Sequence, residues 1–183
     1  DSSLIFDNYK NQGGLTLDTA GGTLSGFTDV KSGLSAGAGR MFVYATFDKP
    51  VTAGAKLTGQ GHDDVSGYLR FAAGADKTVT MRIATSLISV DQAKKNLAQE
   101  IAPGATFDSV RDAAQRLWDD QLKVIEVEGA SKDQLTTLYS NLYRLNLYPN
   151  SAFENTGSAS KPRYQHAVQS STDTPESTPT QTG

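Results

Sequence analysis

Apolar and polar residues alternate along the first half of the chain, whereas apolar residues recur at helical intervals in the second. Leu4-Ile5-Phe6 is a short apolar run followed by turn residues. Leu15 and Leu17, then Leu24 and Phe27, flank Thr19-Ala20-Gly21-Gly22, and a Gly-Gly pair between two such stretches predicts a hairpin. Met41-Phe42-Val43-Tyr44-Ala45-Thr46-Phe47 is rich in aromatic and β-branched residues and ends at Asp48-Lys49-Pro50, which predicts a strand with a turn after it. Tyr68–Phe71 and Thr78–Thr85 predict two more strands. In the latter, Val79, Met81 and Ile83 share one face while Thr80 and Arg82 share the other. Several short strands separated by glycine turns point to an antiparallel sandwich rather than βαβ units.

The period changes at Ser89. Ser89-Val90-Asp91-Gln92 reads as a capping box, with the Ser89 hydroxyl on the backbone of Gln92 and the Gln92 side chain reaching back. The helix it opens stops before Pro103-Gly104. A second helix opens near Thr106 to Asp108, with Phe107, Val110, Ala114, Leu117, Trp118 and Leu122 on its apolar face. Lys123 to Glu128 alternates and reads as a short strand or an extended connector. A third helix begins with Ser131-Lys132-Asp133-Gln134, a second capping box, and its stripe is Leu135, Leu138, Tyr139, Leu142 and Leu145. Pro149 ends it, and the chain after Phe153 reads as loop. No remaining residues are available to bury the third helix's stripe, so the chain reads as part of something larger.

Composition narrows the chemistry. The 183 residues carry 17 Lys and Arg against 20 Asp and Glu, a formal charge of −3, which gives no electrostatic footprint for nucleic acid. Cysteine is absent, which excludes disulfides, zinc–thiolate and iron–sulfur sites and a cysteine nucleophile. Only His62 and His166 supply imidazole, so a multi-histidine metal site is excluded and a Ser-His-Asp triad is poorly supplied. No apolar run approaches the ~20 residues of a membrane-spanning helix. The chain starts at Asp1 without a signal-peptide pattern, as expected for a processed product or a fragment. The Ser/Thr/Pro-rich end, residues 170–183, lacks the apolar content to order itself and is expected to lie against something else.

Carboxylates are the plentiful reactive groups. Asp63-Asp64 lies beside His62 in a stretch that reads as a polar hairpin tip, although His-Asp-Asp could also offer metal ligands. Asp119 and Asp120 are helix neighbours about 100° apart, which suits a solvated face. Glu126 and Glu128 would share a strand face, a spacing usable by a hydrolytic pair but equally that of a half-exposed strand. The glycine clusters lack the strand–GxGxxG–helix context of a dinucleotide site.

The helical segment carries a more specific signal. Residues 84–100, with Ser86, Ser89, Ala93, Asn96, Leu97 and Glu100 in the pattern S-x-x-S-x-x-x-A-x-x-N-L-x-x-E, resemble a signature of glycoside hydrolase family 92, the bacterial exo-acting α-mannosidases. Phe107-Asp108, Trp118, Leu122 and Val127-Glu128-Gly129 continue the resemblance. Leu138-Tyr139-Ser140-Asn141-Leu142-Tyr143-Arg144 ahead of Pro149 is similar to the family's F-Y-T-x-L-Y-R helix. Val43–Pro50 is similar to its Y-F-x-x-x-F-D-K-P strand, so the resemblance covers residues 24 to 155.

The resemblance implies an α+β chain: an antiparallel β-sandwich followed by a helical linker and the first helix of an (α/α)6 barrel. The implied divisions are the second part of the sandwich over residues 1–88, a two-helix linker over 89–130, and the start of the catalytic domain with its tail over 131–183. The implied activity is inverting hydrolysis of α-linked mannose on glycans, in which one carboxylic acid protonates the leaving oxygen and another activates water about 6.5–9.5 Å away. Calcium is the implied cofactor, bound mainly outside this chain through oxygen ligands. The family's acid and base lie further downstream than Gly183, so no catalytic residue and no metal ligand is carried over. Tyr148, Glu154 and His166 are the substrate-neighbourhood candidates. The implied partners are an α-mannoside glycan and the rest of the barrel, supplied in the same chain or as a second polypeptide. The implied location is secreted or periplasmic, and the chain alone is expected to be inactive. The competing readings are a non-catalytic carbohydrate-binding or structural β-sandwich module, and a different glycosidase of the same plan.

Overall fold

A computed structural model describes residues 2–8, 10–30, 39–59, 61–72, 74–75, 77–147, 153–168 and 178–181. In chain order the elements are β1 (Ser2–Phe6), β2 (Gly13–Asp18), β3 (Thr23–Thr28), β4 (Met41–Phe47), β5 (Val51–Lys56), β6 (Gly67–Phe71), β7 (Met81–Ser86), α1 (Val90–Glu100), α2 (Phe107–Leu122), α3 (Lys132–Leu145), β8 (Phe153–Asn155), β9 (Tyr164–Val168) and β10 (Thr178–Gln181). They form two compact units: Asp1–Ala102 together with Phe153–Gly183, and Pro103–Ala152. The fold class is α+β, antiparallel sheets followed by three helices.

Two sheets of the first unit pack face to face. One has the order β2-β3-β4-β7 and the other β1-β6-β5, with all pairs antiparallel. The predicted hairpin is β2–β3: Asp18 pairs with Thr23, Asp18 Oδ1 accepts from Gly21 N at 2.8 Å, and Gly22 takes φ +63°. Register places Leu17, Leu24, Ala45 and Ile83 in one row across the four strands. Leu24 and Ala45 are buried on that face, opposite Leu69 and Phe71 of β6. The Phe47 ring lies 4.8 Å from Phe71 and 6.4 Å from Phe6, so aromatic contacts join the two sheets. At Gly67 a methyl group would stand 2.9 Å from Leu17 Cδ1 and 3.0 Å from Leu15 Cδ2, so the two sheets approach closely there and a larger residue would have to displace those leucine ends.

Alternation did not reveal β5. A bulge between Val51 and Ala53 lets Val51 face Phe71 and Gly54 face Leu69, and this breaks the period of two. The strand predicted over Thr78–Thr85 begins at Met81; Thr80 is held in the preceding connection by Asp48 Oδ1, which accepts from its N–H at 2.7 Å.

Helix α1 packs on the outer face of β3, β4 and β7, burying Ala93 and Leu97, with Lys94 Nζ 5.7 Å from the centre of the Tyr44 ring. Helix α1 therefore belongs to the same compact unit as the sheets, whose boundary falls at Ala102. Ser89 caps it by accepting from Gln92 N at 3.0 Å. The reciprocal bond expected from Gln92 is not made, because its amide turns inward to Asn96 and Asn155.

The chain after Phe153 is not loop throughout, as the sequence had suggested. β8, β9 and β10 form a third antiparallel sheet in the order β10-β9-β8. These strands are too short and too mixed in polarity to show a period. They pair because the 156–163 turn brings them back, with Thr156 N donating to Arg163 O at 2.8 Å and Ser158 N to Lys161 O at 3.0 Å. Of the Ser/Thr/Pro-rich end, 178–181 is described, and it pairs with β9.

The second unit consists of α2 and α3. Both open with complete capping boxes, Thr106 with Ser109 and Ser131 with Gln134. Trp118 and Tyr143 meet edge to face at 4.6 Å, and Tyr139 OH donates to Ile125 O at 2.8 Å. Residues 123–131 are turn and coil, so Glu126 and Glu128 are not side by side on a strand. Neither helix buries a residue; Phe107 is 74% exposed, Leu117 71% and Leu145 73%.

Candidate functional site

Glu154 is the sequence candidate about which the structure says most. It sits at the centre of β8, half-buried. Its Oε1 accepts from Leu87 N at 2.7 Å, and its Oε2 accepts from Asn96 Nδ2 at 2.7 Å. The Asn96 amide also donates to Thr85 O at 3.0 Å and accepts from Gln92 Nε2 at 2.7 Å. Gln92 and Asn96 are buried, and among the described residues no buried side-chain polar atom lacks a partner. Buried polar groups must be satisfied to avoid a desolvation cost, and this network achieves that with neutral donors around one carboxylate.

The network extends along α1. Gln92 Nε2 donates to Asn155 O at 3.0 Å, Lys95 Nζ to Thr156 O, and Gln99 Nε2 to Gly157 O at 3.1 Å. Positions 92, 95, 96 and 99 are spaced i, i+3, i+4 and i+7, one face of a helix. Three successive carbonyls are thus bound by three side chains of one stripe. Asn155 Nδ2 returns a bond to Gln99 Oε1 at 3.1 Å.

The residues of the quoted pattern are the structural members of this assembly. Ser86 Oγ accepts from Ile88 N at 2.9 Å and Ser89 N at 3.3 Å, Ser89 caps the helix, Ala93 and Leu97 face the sheet, and Asn96 binds Glu154. Gln92, Lys95 and Gln99 were not singled out as a stripe from the sequence, although their spacing was visible there. Their partners lie more than fifty positions away.

His166 lies on β9 opposite Phe153, whereas Glu154 pairs with Gln165. Neighbouring strand positions point to opposite faces, so His166 and Glu154 do not converge. Tyr148 lies outside the described residues. His166 shares its face with Phe153 and Tyr164, two exposed rings in edge-to-face contact at 5.1 Å.

His62 joins a second polar cluster not anticipated from the sequence. Ser66 Oγ donates to Asp7 Oδ1 at 2.5 Å, and His62 Nδ1 lies 3.2 Å from the same oxygen. The Ser66 hydroxyl holds the Asp7 carboxyl below its ordinary range, against a raising contribution from desolvation, with the Asn8 N–H and His62 acting in the same direction as Ser66. Serine and histidine both address the aspartate, so Ser66 is not presented to His62 as a nucleophile to its base. An apolar cavity of about 430 Å³ adjoins this cluster, lined by Leu24, Val43, Met81 and Ile83 with Asp7 and Asn8 among its few polar groups. A sugar needs several polar partners, which this lining does not supply.

Among the described residues no group of three or more His, Cys, Asp or Glu could hold a metal ion, so these residues do not by themselves fit a calcium site. No helix among them is long and apolar enough to cross a membrane.

The chain resembles part of several known proteins. The model of the glycosyl hydrolase family 92 catalytic domain matches residues 92–178. An inverting mannosidase of family GH92 from Bacteroides thetaiotaomicron VPI-5482 superposes with a TM-score of 0.80 over 91% of this chain at 26% identity, using 23% of that enzyme's length. The family GH92 glycosyl hydrolase ccman5 superposes with a TM-score of 0.66 over 90% of this chain at 22% identity, again 23% of its length, and supports the fold. No curated protein matches the chain. The chain is thus similar to part of the family 92 glycosyl hydrolases, and it spans about a quarter of the length of the structures it matches.

Proposed function

We propose that this chain is part of an inverting α-mannosidase that removes α-linked mannose from glycans. The observation that carries the reading is the superposition on the Bacteroides inverting mannosidase over 91% of the chain. The helical unit adds support. Its apolar stripes are left open by the described residues, as suits helices that pack into a larger helical domain and not a free-standing binding module.

In this reading the residues described here build the scaffold beside the catalytic carboxylates, which lie elsewhere. Glu154 does not serve as the acid or the base, because both of its oxygens accept hydrogen bonds from scaffold amides. Calcium would be held by residues outside those described, and no catalytic step is drawn through it. The proposed location is secreted or periplasmic, and the proposed partner is the remaining barrel.

The test is hydrolysis of an aryl α-mannoside by the 183-residue chain alone and by the chain joined to the remaining three-quarters of a family 92 enzyme. Turnover with inversion of the anomeric centre only in the joined protein supports the reading. Turnover by the isolated chain, or a joined protein that folds but cleaves no α-mannoside, overturns it.

A further inference from the structure

The segment 153–168 is attached to its unit in an unusual way. Among the described residues no strand ladder joins the β8–β9–β10 sheet to either of the other sheets. The bonds from β8 and its turn to the sandwich run through side chains: Glu154 to Leu87 N and Asn96, Gln92 to Asn155 O, Lys95 to Thr156 O, and Gln99 to Gly157 O and Asn155. The carbonyl contacts read only backbone, so most of the recognition is independent of sequence. Glu154 is the residue whose own side chain supplies the deepest contact and sets which carbonyl meets which donor. Side-chain hydrogen bonds each contribute little net stability, because they replace bonds to water, whereas the sandwich core is held by cooperative apolar burial. Attachment of this kind opens at lower free energy than the core.

We propose that the α1 stripe and the 153–168 segment form a clasp, which opens as a unit while the sandwich stays folded. Glu154 is its register-setting residue. This inference does not depend on the mannosidase reading.

Amide hydrogen exchange on the full 183-residue chain tests it. Gln99→Ala, at an exposed position, removes the Gly157 and Asn155 contacts and leaves Leu87 and Glu154 untouched. It is expected to speed exchange of the Leu87 amide, which donates across the attachment to Glu154 Oε1, about fivefold, while the Ala45 and Leu69 amides keep their wild-type rates. Lys95→Ala removes the contact with Thr156 O and should act in the same direction. Equal acceleration in the sandwich would show that the segment belongs to the cooperative core and would overturn the clasp. Unchanged exchange at Leu87 in both variants would overturn it as well.

Discussion

Glu154 Oε2 and Asn96 Nδ2 lie 2.7 Å apart across 58 residues of sequence, and this contact joins the buried amide pair of α1 to the strand that follows the helical unit. The two donors that the carboxylate accepts from are both uncharged amides. A second carboxylate in place of Asn96 would face the first with no cation between them. Two carboxyl groups sharing one site retain a proton to higher pH than either alone. Asn96→Asp should therefore be tolerated in mild acid, where a proton bridges the pair, and should lose about 3 kcal/mol as pH rises to 7.5 and the proton leaves. Urea midpoints at pH 4.5 and 7.5 measure this. A midpoint that falls equally at both values would refute the pairing.

Strands were legible where aromatic and β-branched residues run together and where glycines mark a turn: Met41–Phe47 is a strand over the expected residues, and the Gly21-Gly22 turn sits between β2 and β3. Alternation alone placed the strand of residues 78–85 three residues too early, because Thr80 is held in the preceding connection by Asp48. Ser131 and Gln134 form the cap that their spacing announced. The misses share a physical cause. β5 contains a bulge, which shifts its inward face by one residue; β8 to β10 depend on a turn and on α1 for their existence; and Gln92 has two competing partners, of which the tertiary one won. The candidate site behaves the same way. The polar positions 92, 95, 96 and 99 are visible as a helical stripe, but nothing local specifies that the carbonyls of 155–157 complete it.

Asp7 offers a pH measurement. The Ser66 hydroxyl, then Asn8 and His62, depress its carboxyl below 3.8 in the folded state, so folding favours its ionised form. That contribution is fully present above the unfolded value and is lost as pH falls through the lowered folded value. Ser66→Ala is expected to raise the Asp7 titration midpoint and shift acid unfolding to higher pH. Carbon-detected NMR of the Asp7 carboxyl reports the first effect directly, and an unchanged midpoint would show that the Ser66 contact does not depress it.

Gly26 is buried in β3, and a methyl group there would meet Gly14 O at 2.4 Å. The obstacle is the backbone of the paired strand, which has no rotamer to change. Gly26→Ala should therefore cost about 1–3 kcal/mol through displacement of β2 from β3. Gly22→Ala is a useful contrast, since its methyl would meet nothing within 4 Å and its penalty would come only from the positive φ of +63°. Denaturant titrations of the two variants should show the larger loss at Gly26; equal losses would mean that β2 and β3 yield at little cost.

Trp118 is the chain's single tryptophan and lies in α2, where it contacts the Tyr143 ring at 4.6 Å. Its fluorescence therefore reports the helical unit, while the β-sheet signal in circular dichroism reports the sandwich. The sandwich buries Leu24, Ala45, Leu69 and Phe71, but neither α2 nor α3 buries a residue. Short helices without a buried face draw little stability from packing, and isolated ones become marginal in water below about 12–15 residues, close to the 16 and 14 residues of α2 and α3. Trp118 emission in the 183-residue chain should accordingly change at lower urea than the sheet signal. Tyr143→Ala should move the emission transition lower still and leave the sheet transition in place. Coincident transitions for the two probes would mean that the helical unit folds only together with the sandwich, contrary to the two-unit division of the chain.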